Sequence, residues 1–343
     1  KMAKLLQEIE WEAPLVPVQS PDYETELSKK LSPWLQKSAV AITGPVVFSY
    51  ADPKLIGISQ LVTSQENACR YCYGVERAIM KFWGYSEKQI RDLEEEASLA
   101  DGITRRVVEF ARKLAKSNPT PAKKDRDALL TEGLSEQAIG EIAAQVGESC
   151  FANRMATFLA LPPNTAVEQL SNGFLSRLLV RVFKKKAVAR KVPPPSHFRN
   201  EGPCAGIIEV AGNTHLAMRL REMTDGWLAE EVIPKRSKVL MLAVIARQLG
   251  ARYCEGEALE VLGEEGLSKR DVGEILATLS APLLTQIEKR LLRWTRETVW
   301  YEPRVIQKST RRLLDEVGES LTLEAIGTAA IGNTLARLSL VRQ

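Results

Sequence analysis

The sequence predicts an all-α protein assembled from one helical unit used twice. Three observations predict it: enough apolar residues to bury a core along the whole chain, a long internal repeat, and serine-capped apolar runs at helical spacing. Of the 343 residues, 45% are hydrophobic and 26% charged, which excludes a disordered or collagen-like chain. That length suggests two compact domains. The 47 Lys and Arg against 43 Asp and Glu leave a net charge of +4, too small to imply a nucleic-acid partner.

The repeat is visible without gaps. Arg70-Tyr71-Cys72-Tyr73-Gly74 matches Arg252-Tyr253-Cys254-Glu255-Gly256 at an offset of 182 residues. The same offset carries Gly84 onto Gly266, Ser86 onto Ser268 and apolar Ile90 onto Val272. Asn153 then answers Asn333 at an offset of 180, as a two-residue deletion in a loop would produce. Six identities in register followed by a matching end segment mark a duplication. Leu161–Asn164 closes the first copy and Val192–Gly202, rich in proline, precedes the second. The expected units are therefore residues 1–164, a linker over 165–202, and residues 203–343.

Within each unit the elements read as helices. Gly84-Tyr85-Ser86, Gly133-Leu134-Ser135 and Gly266-Leu267-Ser268 each precede an apolar run with a 3.6-residue period. In each, the serine is a good N-cap because its hydroxyl accepts an orphan N–H of the first turn. Val107, Val108, Phe110, Ala111 and Leu114 keep helical spacing, as do Ile139, Ile142, Ala143 and Val146. Gly44–Ser49 reads as extended but has no evident partner strand. The beginning of the chain carries acids where a secretory signal would be apolar. The longest apolar run, Val239–Ala246, is far short of the roughly 20 residues that span a bilayer. With an odd number of cysteines, the expectation is a soluble cytoplasmic protein in a reducing compartment.

Five cysteines and two histidines point to sulfur as the reactive element. Cys69 and Cys72 are three residues apart, on one face of a helix and close enough for their sulfurs to bond. A helix N-terminus and a nearby cation favour thiolate; Thr63–Asn67 offers caps, and Arg70 and Arg77 offer charge. Glu76, one turn after Cys72 on the same face, could take the thiol proton or return one to a leaving oxygen. Two other readings stand beside a redox dithiol: half of a zinc site, and a pair of inert buried thiols. The remaining cysteines are isolated and His197 and His215 lie in the linker and second unit, so no metal or cofactor is expected. Cys150 reads as core, His215 as a capping or surface residue, Trp294 and Trp300 as helix packing, and Glu94-Glu95-Glu96 as a solvated face.

The linker holds a second feature. Phe174–Lys191 has seven basic residues and no acid, with an apolar stripe at helical spacing. Such a helix packs its stripe on the two units or lies on an anionic membrane surface, which would make the protein peripheral there.

The CxxC on a helix, followed twelve residues later by Gly-x-Ser and then by Asn153-Arg154-Met155-Ala156-Thr157-Phe158-Leu159, resembles the AhpD-like alkylhydroperoxidase and carboxymuconolactone decarboxylase family. Asn333-Thr334-Leu335-Ala336-Arg337-Leu338 fits the last segment less fully. The resemblance covers most of both halves. It implies an all-helical, usually oligomeric protein whose dithiol reduces hydroperoxides or exchanges disulfides. By the family pattern Cys72 attacks as thiolate and becomes a sulfenic acid, Cys69 resolves it to a disulfide, and a dithiol reductant protein regenerates the pair. Two positions depart from the pattern: Glu76 stands where a histidine is usual, and Gly57 where a glutamate is frequent. A carboxylate beside Cys72 raises its pKa. The second unit has Ala251 for the first cysteine and Ala258 at the Glu76 position, so it reads as scaffold or pocket wall. The alternative function is a non-catalytic adaptor, or a membrane-surface or partner-binding protein, that keeps the fold.

Overall fold

The computed structural model describes residues 11–17, 23–44, 46–82, 85–95, 102–163 and 189–343. Among them the architecture is all-α. Helices α1 (Tyr23–Ser28) and α2 (Pro33–Thr43) precede a first set of six. That set comprises α3 (Pro53–Glu66), α4 (Arg70–Phe82), α5 (Glu87–Glu95), α6 (Gly102–Ala115), α7 (Lys123–Thr131) and α8 (Glu136–Phe158). After α9 (Ala205–Ile208) and α10 (His215–Ala229) comes a second set. It comprises α11 (Lys235–Gln248), α12 (Arg252–Glu264), α13 (Lys269–Thr278), α14 (Gln286–Glu297), α15 (Pro303–Val317) and α16 (Glu319–Ser339). The first three helices of the two sets begin 182 residues apart, at 53 and 235, 70 and 252, 87 and 269.

The Gly-x-Ser signals cap as their chemistry requires. Ser86 Oγ accepts the Gln89 N–H at 3.2 Å while Gln89 Oε1 accepts the Ser86 N–H at 2.8 Å. Ser135 accepts from Ala138 at 3.2 Å, and Ser268 forms a reciprocal capping box with Asp271. These hydrogen bonds satisfy N–H groups that the helix itself leaves orphaned.

The two sets pack into one core, an apolar cluster that runs from Leu15 to Val341 through both. Its axis is the pair α8 and α16, which make the most extensive helix contact in the molecule. Both are buried around nearly their whole circumference, as central helices of a large core must be. They approach closely at Gly147, where a Cβ would come within 3.1 Å of the Thr334 methyl group. Thr334 Oγ1 donates to the Gly147 carbonyl at 3.0 Å. Two buried arginines then lock each set onto the other. Arg154 donates to the carbonyls of Thr298 (2.8 Å) and Val299, just past α14. Arg337 donates to the carbonyls of Leu114 and Lys116 (2.6 Å), at the end of α6. Each guanidinium satisfies the carbonyl-rich, negative end of a helix in the opposite set.

Gly44–Ser49 does find a partner. Strand β1 (Val46–Phe48) pairs in parallel with β2 (Ala189–Lys191), Val46 opposite Ala189 and Phe48 opposite Lys191. The last residues of the basic segment are therefore strand rather than helix. The pairing joins residues more than 140 apart, beyond any local pattern. Residues 174–188 of that segment lie outside the described residues. Three N–H groups after β1, from Ser49 (2.6 Å), Tyr50 (2.8 Å) and Ala51 (2.7 Å), converge on the buried carboxylate of Glu141, which fixes the entrance to α3. No described helix is long and apolar enough to cross a membrane.

Candidate active site

Helix α3 ends at Glu66, and the chain reverses through Asn67, Ala68 and Cys69 into α4. Ala68 takes φ +46°, a left-handed conformation that costs an L-residue roughly 1–2 kcal/mol. Its counterpart 182 residues on is Gly250 at φ +64°, where no Cβ is strained. The turn closes with the Cys69 N–H on the Ser64 carbonyl at 3.3 Å, matched by Ala251 on Ala246 at 2.9 Å. Thr63–Glu66 thus finish α3 instead of capping α4, because the left-handed turn intervenes. Cys69 itself precedes the first residue of α4, and its sulfur accepts the backbone N–H of Cys72 at 3.2 Å.

The two sulfurs lie 2.6 Å apart, both unlinked. Cys69 has no exposed surface, whereas Cys72 retains 8%, so Cys72 is the more accessible of the two. Around them Ala156 from α8 closes a small apolar cluster, with Tyr71 and Leu161 at its edge. The indole N–H of Trp11 donates to the Leu161 carbonyl at 2.9 Å and pins that edge.

Behind the sulfurs sits a buried amide network. Asn153 Nδ2 donates to Ser64 Oγ at 3.1 Å, and Asn153 Oδ1 accepts from Asn67 Nδ2 at 2.9 Å. Asn67 Nδ2 also lies 3.6 Å from Cys150 Sγ, and Cys150 is core as expected from its sequence context. Burial, the Cys69 sulfur and Glu76 together push the Cys72 thiol well above the ordinary range, against a hydrogen bond from the Asn153 side chain that pulls it down. Burial raises the Glu76 carboxyl to about 8, which leaves it mostly protonated at neutral pH.

One of the two predicted cations serves elsewhere. Arg77 turns to the neighbouring helix, where it pairs with Glu94 and Glu87 and donates to Tyr73 Oη at 3.1 Å. Tyr73 also donates to Glu94, which is 3% exposed, so Glu94 is a buried anchor of α5 on α4 and not part of a solvated face. The amphipathic pattern of α5 hid this because Glu94 falls on its apolar side, where the half-buried Arg77 neutralises it and the Tyr73 phenol donates to it.

Tyr301, from the segment between α14 and α15, enters the site from the second half. Its hydroxyl donates to the Asn153 carbonyl at 2.6 Å and contacts Thr157 Oγ1 at 2.5 Å. Its N–H donates to Ser117 Oγ at 2.7 Å, and the Arg154 guanidinium lies 5.1 Å from its ring centre. Burial, then the sulfurs of Cys69 and Cys72, hold its phenol well above the usual value. Nothing in the sequence near Tyr301 signals this role; Asn153 and Asn333 were legible only as landmarks of the repeat.

The other singled-out residues stay apart from the dithiol. His215 opens α10 with Nε2 2.8 Å from the Pro193 carbonyl, and Trp294 packs its ring 5.2 Å from Phe158. Cys204 and Cys254 are both buried, and burial raises both thiols, as apolar packing does. Among the described residues no group of three or more His, Cys, Asp or Glu could hold a metal ion. Comparison with protein-family models, with curated proteins and with solved structures finds no match to this chain.

Proposed function

We propose that the protein is an AhpD-like thiol oxidoreductase that reduces hydroperoxides at Cys72 and Cys69. The carrying observation is two unlinked sulfurs 2.6 Å apart at the start of a helix, with the protonated Glu76 carboxyl beside them. Cys72, having released its proton to solvent, attacks the terminal peroxide oxygen as thiolate, the O–O bond breaks, Glu76 delivers a proton to the departing alkoxide, and solvent returns a proton to Glu76. Cys69 sulfur then attacks the sulfenic acid, releasing water and closing the disulfide. One hydroperoxide and two thiols thus become an alcohol, water and a disulfide. A dithiol reductant protein returns both thiols by exchange. The odd number of cysteines in the chain supports a reducing, cytoplasmic setting. A homo-oligomer belongs to the same proposal.

The test is consumption of an alkyl hydroperoxide with a small dithiol as reductant. Reductant-dependent turnover that Cys72→Ser abolishes is expected. Turnover absent from the parent protein, or unchanged in the variant, would favour the adaptor reading.

A further inference from the structure

We propose that Tyr301 is a positioning residue for Cys72, so that the second half completes a site whose sulfurs lie in the first; this rests on the redox reading of the dithiol. A phenol has one proton to give, and Tyr301 gives it to the Asn153 carbonyl at 2.6 Å. At the second contact Thr157 is therefore the donor, its hydroxyl giving to Tyr301 Oη at 2.5 Å.

Asn153 and Thr157 are one helical turn apart. A threonine in a helix commonly returns its hydroxyl to the carbonyl four residues back, which here is Asn153. Tyr301 Oη is inserted into that bond and bridges the turn from outside the helix. The turn it clamps carries Ala156, which walls the sulfurs, and Asn153, whose amide holds Ser64 and Asn67 behind them.

The phenol is itself held on two sides. Its backbone N–H is fixed on Ser117, and its ring is covered by Arg154, whose own hydrogen bonds secure the end of α14. The groups that face Cys72 are then Cys69 and Glu76 from its own helix region, Asn153 from α8, and Tyr301 beyond it. The clamped turn reaches the sulfurs through Ala156 and through Ser64, which accepts from Asn153 on its hydroxyl and from the Cys69 N–H on its carbonyl, and Asn153 is the group there that favours the anionic sulfur.

The experiment measures iodoacetamide alkylation of Cys72 in the reduced full chain between pH 7 and 10. Cleavage after Arg70 separates the Cys72 peptide from Cys69, so each thiol is read by mass spectrometry. Tyr301→Phe keeps the ring over Arg154 and removes only the bridge. It should slow Cys72 alkylation at pH 8 by about 3- to 10-fold, the loss of thiolate expected from a rise of half to one pKa unit. Asn153→Ala should slow it similarly, and the double variant no further. Thr157→Val, of similar volume, removes the donor to Tyr301 and should give a smaller slowing in the same direction. A Tyr301→Phe profile that superimposes on the parent while Asn153→Ala shifts it would overturn the proposal, as would effects that multiply in the double variant. Alkylation needs no peroxide turnover, so failure of the redox reading leaves this outcome separately readable.

Discussion

The turn from α3 into α4 and the turn from α11 into α12 have the same backbone and opposite chemistry. Both pass through a left-handed residue, both return an N–H to the preceding helix, and both enter a helix that reads Arg-Tyr-Cys. In the first copy the surrounding positions are Ser64, Asn67, Ala68, Cys69, Glu76 and Arg77. In the second they are Ala246, Leu249, Gly250, Ala251, Ala258 and Leu259. Every polar partner has an apolar replacement, and the strained alanine has a relaxed glycine. Asn333, the partner of Asn153 in the repeat, turns its amide back to the Ala329 carbonyl of its own helix at 3.1 Å. The second copy builds the same turn from apolar side chains and an unstrained glycine. The first carries a buried amide network, a raised carboxyl and backbone strain, costs that gather at functional sites.

Importing second-copy features into the first tests that contrast, and Glu76 should respond most. Glu76→Ala, the residue found at Ala258, should lower peroxide turnover at neutral pH by about 100-fold, in the range of a lost general acid. In the parent protein the rate should climb with pH as Cys72 ionises, then flatten above about 8 as Glu76 loses its proton. In Glu76→Gln that break should vanish. Stability carries the same signature. The folded carboxyl sits above its unfolded value of roughly 4.3, so its contribution is complete below that pH and is lost as pH rises through about 8. Between pH 5 and 9, urea unfolding of Glu76→Gln should therefore lose on the order of 2–4 kcal/mol less than the parent. Equal losses would mean the carboxyl is solvated.

A smaller effect separates the two asparagines. Asn153→Ala strands Ser64 Oγ and Asn67 Nδ2 in the core and should cost about 1–3 kcal/mol in denaturant unfolding. Asn333→Ala removes a single bond to its own helix and should cost less. Comparable losses at the two positions would mean the buried network around Asn153 adds nothing.

The smallest change concerns the backbone. Ala68→Gly should raise stability by up to about 1 kcal/mol, and Gly250→Ala should lower it by about as much, both read as shifts in melting temperature. A loss on Ala68→Gly would show that the turn is held by packing on the alanine methyl group.

Much of this was legible in one dimension, and for local reasons. Gly133-Leu134-Ser135 and Gly266-Leu267-Ser268 announced their helices because a positive φ and a hydroxyl cap are properties of single residues. Cys69 and Cys72 were legible as a pair because a three-residue spacing at a helix start fixes a short distance, although Cys69 stands just before the helix and not on it. What misled was chemistry whose partner lies far along the chain. Arg77 looked like a cation for the thiols until Glu94 and Glu87 claimed it. Glu94 looked solvated in a run of acids until Tyr73 and Arg77 buried it. Gly44–Ser49 looked unpaired until Ala189–Lys191 returned beside it.

The amino-acid order alone therefore settled the helices, their caps, the duplication and the position of the sulfur pair, because each depends on neighbours within a few residues or on self-comparison. Only the tertiary structure decided what surrounds the pair: Asn67 and Ser64 on Asn153, a neutral Glu76, and Tyr301 arriving from the other half. The reason is physical. Burial sets the protonation of Glu76 and contacts between residues 86 to 148 apart assemble the rest, and neither is written in any local stretch of sequence.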